Sequence, residues 1–432
     1  MRTLLLSLFT WLALAATAQH APYNYVAEAP GIVSMENGQP HEGFLWIAPG
    51  AERVEALMFA FQNMNEETLF SMPAFRERMG AAGVALLWIA PGFGQEWDVN
   101  QGVQDAFDGL LRNLAETSGH AELTKVPLIP FGHSAQATMP WNFAAWNPSR
   151  TLCLISYHGD APRTNLCGYG RSNLEWGRTR NIDGIPGLMV MGEYEWWEAR
   201  LRPALAFRMM YPGSCISFLG DAGRGHFDVS DRTADYIALF VEKAMAARGK
   251  ELLRLDPADG WLAQTWSPEQ RYSSRCKPAP AAEYAGCRHE AFWYIDGEMA
   301  RMAEDRYAET DGKSPRYLAF EYNGTPVAFN AKGHCKNVVE VTPDADDCFA
   351  LGVFECDSTR SILLGQAKGA EIRYVCGPAV ALGNGVFRVD RSHPTWRNPR
   401  RLGSITLAAE WPGDDTHKET VQEIEVRLSF GM

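Results

Sequence analysis

The chain has 432 residues, 46% of them hydrophobic and 21% charged, with a net charge of −12. That length exceeds what one hydrophobic core serves and predicts two domains. An acidic chain without a basic run is a poor partner for nucleic acid or for an anionic membrane surface, so neither is an expected partner.

Residues 1–18 read as a secretory signal: Arg2 is the charged start, Leu4 to Ala16 is apolar, and Ala16-Thr17-Ala18 is a small-residue cleavage site. The expectation is therefore a secreted or periplasmic protein. Removing 18 of 432 residues leaves 414, and loss of Arg2 takes the charge from −12 to −13. No other stretch is long and apolar enough to span a bilayer, so no membrane association is expected after cleavage. Nine cysteines occur, from Cys153 onward, and export permits disulfides. Cys276 with Cys287, and two pairs among Cys335, Cys348, Cys356 and Cys376, are the expected candidates. Cys153 and Cys215 lie in apolar, strand-like runs and read as buried thiols. No Cys-x-x-Cys or paired histidine spacing indicates zinc, and neither a metal nor a cofactor is expected. The 14 tryptophans read as core filling in preference to sugar-stacking platforms.

From about residue 40 to 250, short apolar runs alternate with helical patterns. Ala56–Phe61 is strand-like and Pro73–Met79 helix-like. Val84–Ala90 is a strand, and Val103, Phe107, Leu110, Leu111 and Leu114 recur at helical spacing. Val126–Phe131 is a strand leading into Gly132-His133-Ser134-Ala135-Gln136. Leu152–Ser156, Gly187–Met191 and Cys215–Leu219 follow as strands, and Tyr236 to Val241 marks a last helix. Near-continuous apolar strands separated by helices predict a doubly wound, mostly parallel sheet covered on both faces. Active sites in such sheets gather at the carboxyl ends of the strands. Between Gly159 and Ile185 a long insertion carries Arg163, Arg171, Trp176, Arg178 and Arg180. These arginines read as solvated loop charges or as recognition groups for a carboxylate or sugar.

After about residue 255 short strands punctuated by Gly, Pro and Asp dominate, such as Tyr317–Tyr322, Ile372–Val375, Ser404–Glu410 and Glu423–Ser429. One helix is expected over Glu290–Glu304, with Phe292, Ile295, Met299 and Met302 on one face. The domain expectation is a catalytic α/β unit over 19–254, a linker over 255–280, and a β-rich, sandwich-like accessory domain over 281–432.

Ser134 sits where a buried strand turns sharply into a helix. Such a serine is raised above the sheet, within reach of a histidine base, with the following amide facing a developing oxyanion. The order of strands, this elbow, a later strand ending in acids and a final strand followed by Gly225-His226 resembles the α/β-hydrolase superfamily over residues 40–250. The resemblance implies a serine nucleophile at Ser134 and a base at His226. It places the triad acid at Glu195, with Glu193 and Asp160 as alternatives, because a carboxylate there orients the imidazole. It implies an oxyanion hole from the amide of Ala135 and one after Phe61, at Asn63 or Met64. Two positions depart from the superfamily's pattern: Gln136 replaces the last glycine of Gly-x-Ser-x-Gly, and Gln62-Asn63 replaces His-Gly. Pro140 predicts a kink in the helix after the elbow.

The expected activity is that of a serine hydrolase of carboxylic esters, similar to secreted bacterial carbohydrate esterases, acting on an ester-bearing small molecule or polysaccharide. A serine peptidase of the same fold is the alternative. A non-catalytic carbohydrate-binding protein on a hydrolase scaffold is a third reading, motivated by Gln136 and Gln62.

Overall fold

In the computed structural model, residues 23–35, 38–63, 65–164, 173–267, 275–308, 313–327, 337–358, 362–393, 396 and 404–430 are described. The expected signal segment, Met64, Arg171 and Cys335 lie outside them. Eight strands form one sheet: β1 (Tyr25–Val33), β2 (Pro40–Trp46), β3 (Ala56–Phe61), β4 (Val84–Ala90), β5 (Leu128–His133), β6 (Leu154–Tyr157), β7 (Pro186–Gly192) and β8 (Cys215–Asp221). Their spatial order is β1-β2-β4-β3-β5-β6-β7-β8. β2 is antiparallel to β1 and β4, and every pairing from β4 through β8 is parallel. This is the α/β-hydrolase arrangement. The antiparallel pair β1–β2 is an addition to the elements read from the sequence.

The period of two in β3 separates the faces. Phe59 and Phe61 join Phe107, Leu110, Leu111 and Leu114 of the helix Val103–Ser118 in one buried cluster. Met58 and Ala60 join Phe75, Met79, Ile237 and Phe240 in the other. All six β3 residues are therefore buried, which is why the strand reads as a continuous apolar run. We number the helices α1 (Glu66–Ser71), α2 (Pro73–Ala81), α3 (Val103–Ser118), α4 (Met139–Trp146), α5 (Glu198–Met210) and α6 (Asp231–Arg248).

Within the span expected as a linker, 255–280, described residues form strands. Trp261–Gln264 (β9) pairs with Ala279–Pro280 (β10) and with Ala291–Tyr294 (β11), and this small sheet packs against β8. Tyr294 Oη–H donates to Phe218 O at 2.6 Å, and the Phe292 and Phe218 rings stack at 5.0 Å. The expected helix at 290–304 is corrected accordingly. Its first residues are β11, and the helix proper is α7 (Gly297–Ala308). Phe292 is buried from a strand, by its stacking on Phe218, so the apolar spacing fits a helix only by coincidence.

Beyond α7 lie three sheets. The first orders Thr325–Pro326 (β13), Tyr317–Tyr322 (β12), Gly352–Cys356 (β16) and Leu363–Gln366 (β17). The second orders Asn337–Val341 (β14), Thr420–Leu428 (β22), Ser404–Trp411 (β21) and Glu371–Cys376 (β18). The third orders Cys348–Ala350 (β15), Val386–Val389 (β20) and Ala379–Gly383 (β19). Leu318 and Phe320, Ile405 and Val426, and Phe349 and Phe387 bring all three sheets to one apolar core. The region is β-rich, as the sequence pattern predicts.

Cysteine pairing departs from expectation. Cys276, Cys287 and Cys348 carry free thiols, so the Cys276–Cys287 bridge is absent. The main-chain N–H of Cys276 is instead fixed by Gln264 Oε1 at 2.8 Å, at the edge of β9. Cys153 and Cys215 are buried as expected, and burial pushes the Cys215 thiol up to about 12. Trp97, Trp141, Trp176, Trp266 and Trp293 are among the largest fully buried side chains, in line with core filling.

Candidate active site

Ser134 follows β5 with φ at +54°, in the left-handed region that a side chain adopts only under constraint. The turn closes tightly. A Cβ on Gly132 would lie 2.1 Å from Gln136 O, and one on Gly159 would lie 1.9 Å from Ala137 Cβ. Gly159 and the small Ala137 thus supply the close approach that the elbow's last glycine ordinarily supplies. Ser134–Gln136 is a separate 3-10 turn, and α4 begins at Met139 with Pro140 in its first turn. The expected kink is therefore replaced by a break between two elements. Proline is tolerated there, since that N–H has no partner within the helix in any case.

Ser134 Oγ lies 2.7 Å from His226 Nε2, and His226 Nδ1 is hydrogen-bonded to Glu195 Oε2. The carboxylate can only accept, so Nδ1 carries the proton and Nε2 faces the serine hydroxyl as acceptor. Glu195 also accepts from Gly192 N–H and from Arg200 Nη1, each at 3.2 Å. Burial by itself raises the Glu195 pKa, but His158, His226 and Arg200 outweigh it and hold the carboxyl below its ordinary value. Glu195 is thereby kept ionised beside the imidazole.

The two rival acids point elsewhere. Glu193 accepts from Gly223 N–H at 2.9 Å and pairs with Lys418. Asp160 is fully buried and accepts from Thr138 Oγ1 at 3.2 Å. At the oxyanion side, Ala135 is buried directly after Ser134. The Asn63 side chain is committed, since its Nδ2 donates to His133 O at 2.7 Å. Gln62 N–H donates to Ile89 O at 2.7 Å, which ties the end of β3 to β4.

Two further histidines, His133 and His158, join the site. His133 Nε2 and His158 Nδ1 lie 2.8 and 2.9 Å from the main-chain carbonyl of His226. A carbonyl only accepts, so each ring donates from that nitrogen. Both rings are fully buried, and burial chiefly lowers the His158 pKa. The three imidazoles offer nitrogens within 4.8 Å of one another. Of these nitrogens, His133 Nε2 and His158 Nδ1 are held by the His226 carbonyl, and the two of His226 by Ser134 and Glu195. The signal for His158 is its place just past β6, at the same carboxyl edge as Ser134.

Two of the insertion's arginines have partners of their own. Arg163 pairs with Glu175 at 2.9 Å and donates to Tyr211 Oη at 2.7 Å, and Arg180 lies 4.0 Å over the Trp146 ring. Trp176 is buried and donates to Asn142 Oδ1 at 2.7 Å. The described part of the insertion is thus tied into the fold.

No family model and no curated protein matches the chain. Solved structures do match about half of it. An esterase from the hyperthermophilic archaeon Pyrobaculum calidifontis is 12% identical, covering 54% of this chain and 89% of its own, with a TM-score of 0.34. A soluble variant of monoglyceride lipase from Saccharomyces cerevisiae, bound to a substrate analogue, is 12% identical, covering 52% and 97%, with a TM-score of 0.34. An α/β serine hydrolase homologue from Coxiella burnetii is 14% identical, covering 51% and 99%, with a TM-score of 0.33. The fold itself rests on the strand order given above.

Proposed function

We propose that the protein is a serine hydrolase that cleaves carboxylic esters through an acyl-enzyme. The observation that carries this reading is the contact chain Ser134 Oγ–His226 Nε2–Glu195, built on a serine with φ at +54°. Ser134 Oγ attacks the ester carbonyl while its proton passes to His226 Nε2. The carbonyl oxygen becomes an oxyanion, received by the main-chain N–H groups of Ala135 and Asn63. Collapse expels the alcohol, which takes the proton from His226. Water then attacks the acyl carbon while giving a proton to His226, and collapse releases the acid as His226 returns that proton to Ser134 Oγ. Glu195 holds the ring and stabilises the imidazolium throughout.

Ser134→Ala is expected to lower p-nitrophenyl acetate hydrolysis by at least about 10³-fold and to abolish labelling by a fluorophosphonate. Parental turnover in that variant would sink the reading. Retained glycan binding without any labelling would favour the non-catalytic alternative, and peptide chromogens screened beside esters separate a peptidase.

The finer reading is an exported enzyme acting on acyl or methyl esters of a polysaccharide. It is supported by the apparent signal at 1–18 and the β-rich appendage. A panel of acetylated, methyl-esterified and feruloylated glycans, with Ser134→Ala as control, tests it.

A further inference from the structure

A cleft of about 510 Å³ lies beside the elbow. Its lining includes Gln62, directly after β3, and Gln136, two residues after Ser134. These are the two side chains that depart from the superfamily's pattern. Gln136 is only 7% exposed. The Oε1 atoms of both glutamines are buried without a hydrogen-bond partner among the described residues. Buried acceptors of this kind are unfavourable unless water or a ligand completes them. Elsewhere the described lining residues are uncharged, with no Asp, Glu, Lys or Arg among them. His41 is fixed there by donation from Nδ1 to Pro91 O at 2.7 Å and packs edge-on to Phe93 at 4.8 Å. Val33 and Met35, 58% and 91% exposed, form an apolar rim.

The geometry points to a substrate pocket for a neutral, hydroxyl-bearing part of the ester, whose O–H groups donate to Gln62 and Gln136. This assignment rests on the serine-esterase reading and adds its substrate class. An anionic substituent would face two carbonyl-type oxygens with no counter-charge among the described lining residues. A plain alkyl group would leave both oxygens unsatisfied, and sites built to bond a hydroxyl discriminate strongly against analogues that lack it. Carboxamides both accept and donate, as hydroxyls do, so they suit a sugar ring or a phenol better than an ion.

The hydroxyl-bearing part is either the alcohol or the acyl half, and two matched pairs of esters distinguish them. On the alcohol side, glucose 6-acetate is compared with cyclohexylmethyl acetate. On the acyl side, the p-nitrophenyl ester of 3-(4-hydroxyphenyl)propanoate is compared with that of 3-phenylpropanoate. In the parent protein, kcat/KM is expected to favour the hydroxylated member of one pair by at least roughly tenfold. Gln136→Leu and Gln62→Leu are each expected to reduce that ratio by roughly tenfold. Each ratio is taken within one protein, so a variant with less folded enzyme still reports it, and Gln62, the less buried of the two, serves where Gln136→Leu does not fold. Equal kcat/KM within both pairs, or a preference that survives both substitutions, overturns the pocket assignment. Fluorophosphonate labelling of Ser134 and turnover of the plain esters report on the catalytic reading separately. If they hold while the ratios are flat, the pocket assignment alone falls. If they fail, both fall.

Discussion

The carbonyl of His226 is held by two imidazoles, and that arrangement constrains their charge. His158 already donates from Nδ1, and its Nε2 is buried without a partner among the described residues. Adding a proton at Nε2 would bury a cation whose new N–H has no acceptor among the described residues, with Glu195 near Nδ1 to offset it only in part. Burial accordingly lowers its pKa below the ordinary 6.5, with Glu195 and Asp221 opposing only in part. The consequence for stability has a definite sign. Below pH 6.5 the unfolded chain takes up this proton while the folded protein does not, so stability falls as pH falls from there towards the folded value. His393, pushed down to about 4 by burial, adds a second proton of the same kind. Glu195, depressed from an ordinary 4.5, adds its loss only at lower pH, as pH falls through its folded value. One proton amounts to about 1.4 kcal/mol per pH unit. His158→Asn keeps a donor where Nδ1 stands and removes the titration. Its unfolding free energy, measured by denaturant between pH 6.5 and 5, is expected to fall less steeply than the parent's by up to that amount per unit. Identical slopes in the two proteins would refute the assignment of that proton to His158.

At the scale of elements, the elbow depends on what is absent from Gly132. A Cβ there would meet Gln136 O at 2.1 Å and Gln136 C at 2.7 Å, both main-chain atoms that no rotamer change can move. Gly132→Ala is therefore expected to destabilise by about 1–3 kcal/mol and to slow labelling of Ser134. A parental denaturation midpoint with normal labelling would show that the turn can open without cost. The same turn marks what was legible in the sequence. β3, β4 and β7 are buried on both faces, so their apolar runs identify them directly. Chain order then brings Ser134, Glu195 and His226 together at one edge. β1 is an edge strand and largely uncovered, so its alternation is masked by Glu28, Pro30 and Gly31. β11 was hidden because Phe292 and Ile295 fit a helical spacing with Met299 and Met302 equally well. Beyond the place of His158 just past β6, the His133 and His158 contacts leave no local pattern. Each is a side chain bonded to a main-chain carbonyl, 93 and 68 residues away.

At the scale of the whole molecule, the loop that carries His226 is braced by the C-terminal half. Gly220 N–H donates to Tyr307 Oη at 3.1 Å, and Asp221 pairs with Arg306 at 2.6 Å. Arg224 pairs with Glu419, and Arg373 donates to Val229 O at 3.2 Å. A further link is Glu193, which receives Gly223 N–H on one oxygen and Lys418 on the other. The side chains of Glu193 and Lys418 are 3% and 2% exposed, so the pair is shielded from water. A buried pair of this kind contributes little net stability when intact, but removing one partner strands the other charge at a cost of about 3–5 kcal/mol. Lys418→Met is thus expected to lower stability by that order and to reduce ester turnover, because Glu193 is the acceptor that fixes Gly223, three residues before His226. Adding Glu193→Leu removes the stranded charge, so the double variant is expected to regain part of the stability. Its turnover should stay low, since the Gly223 amide has then lost its acceptor. The comparison of denaturation midpoints with kcat across the single and double variants separates the two effects. If both recovered together, the accessory region would stabilise the fold without positioning the base; if Lys418→Met matched the parent in both, the bridge would do neither.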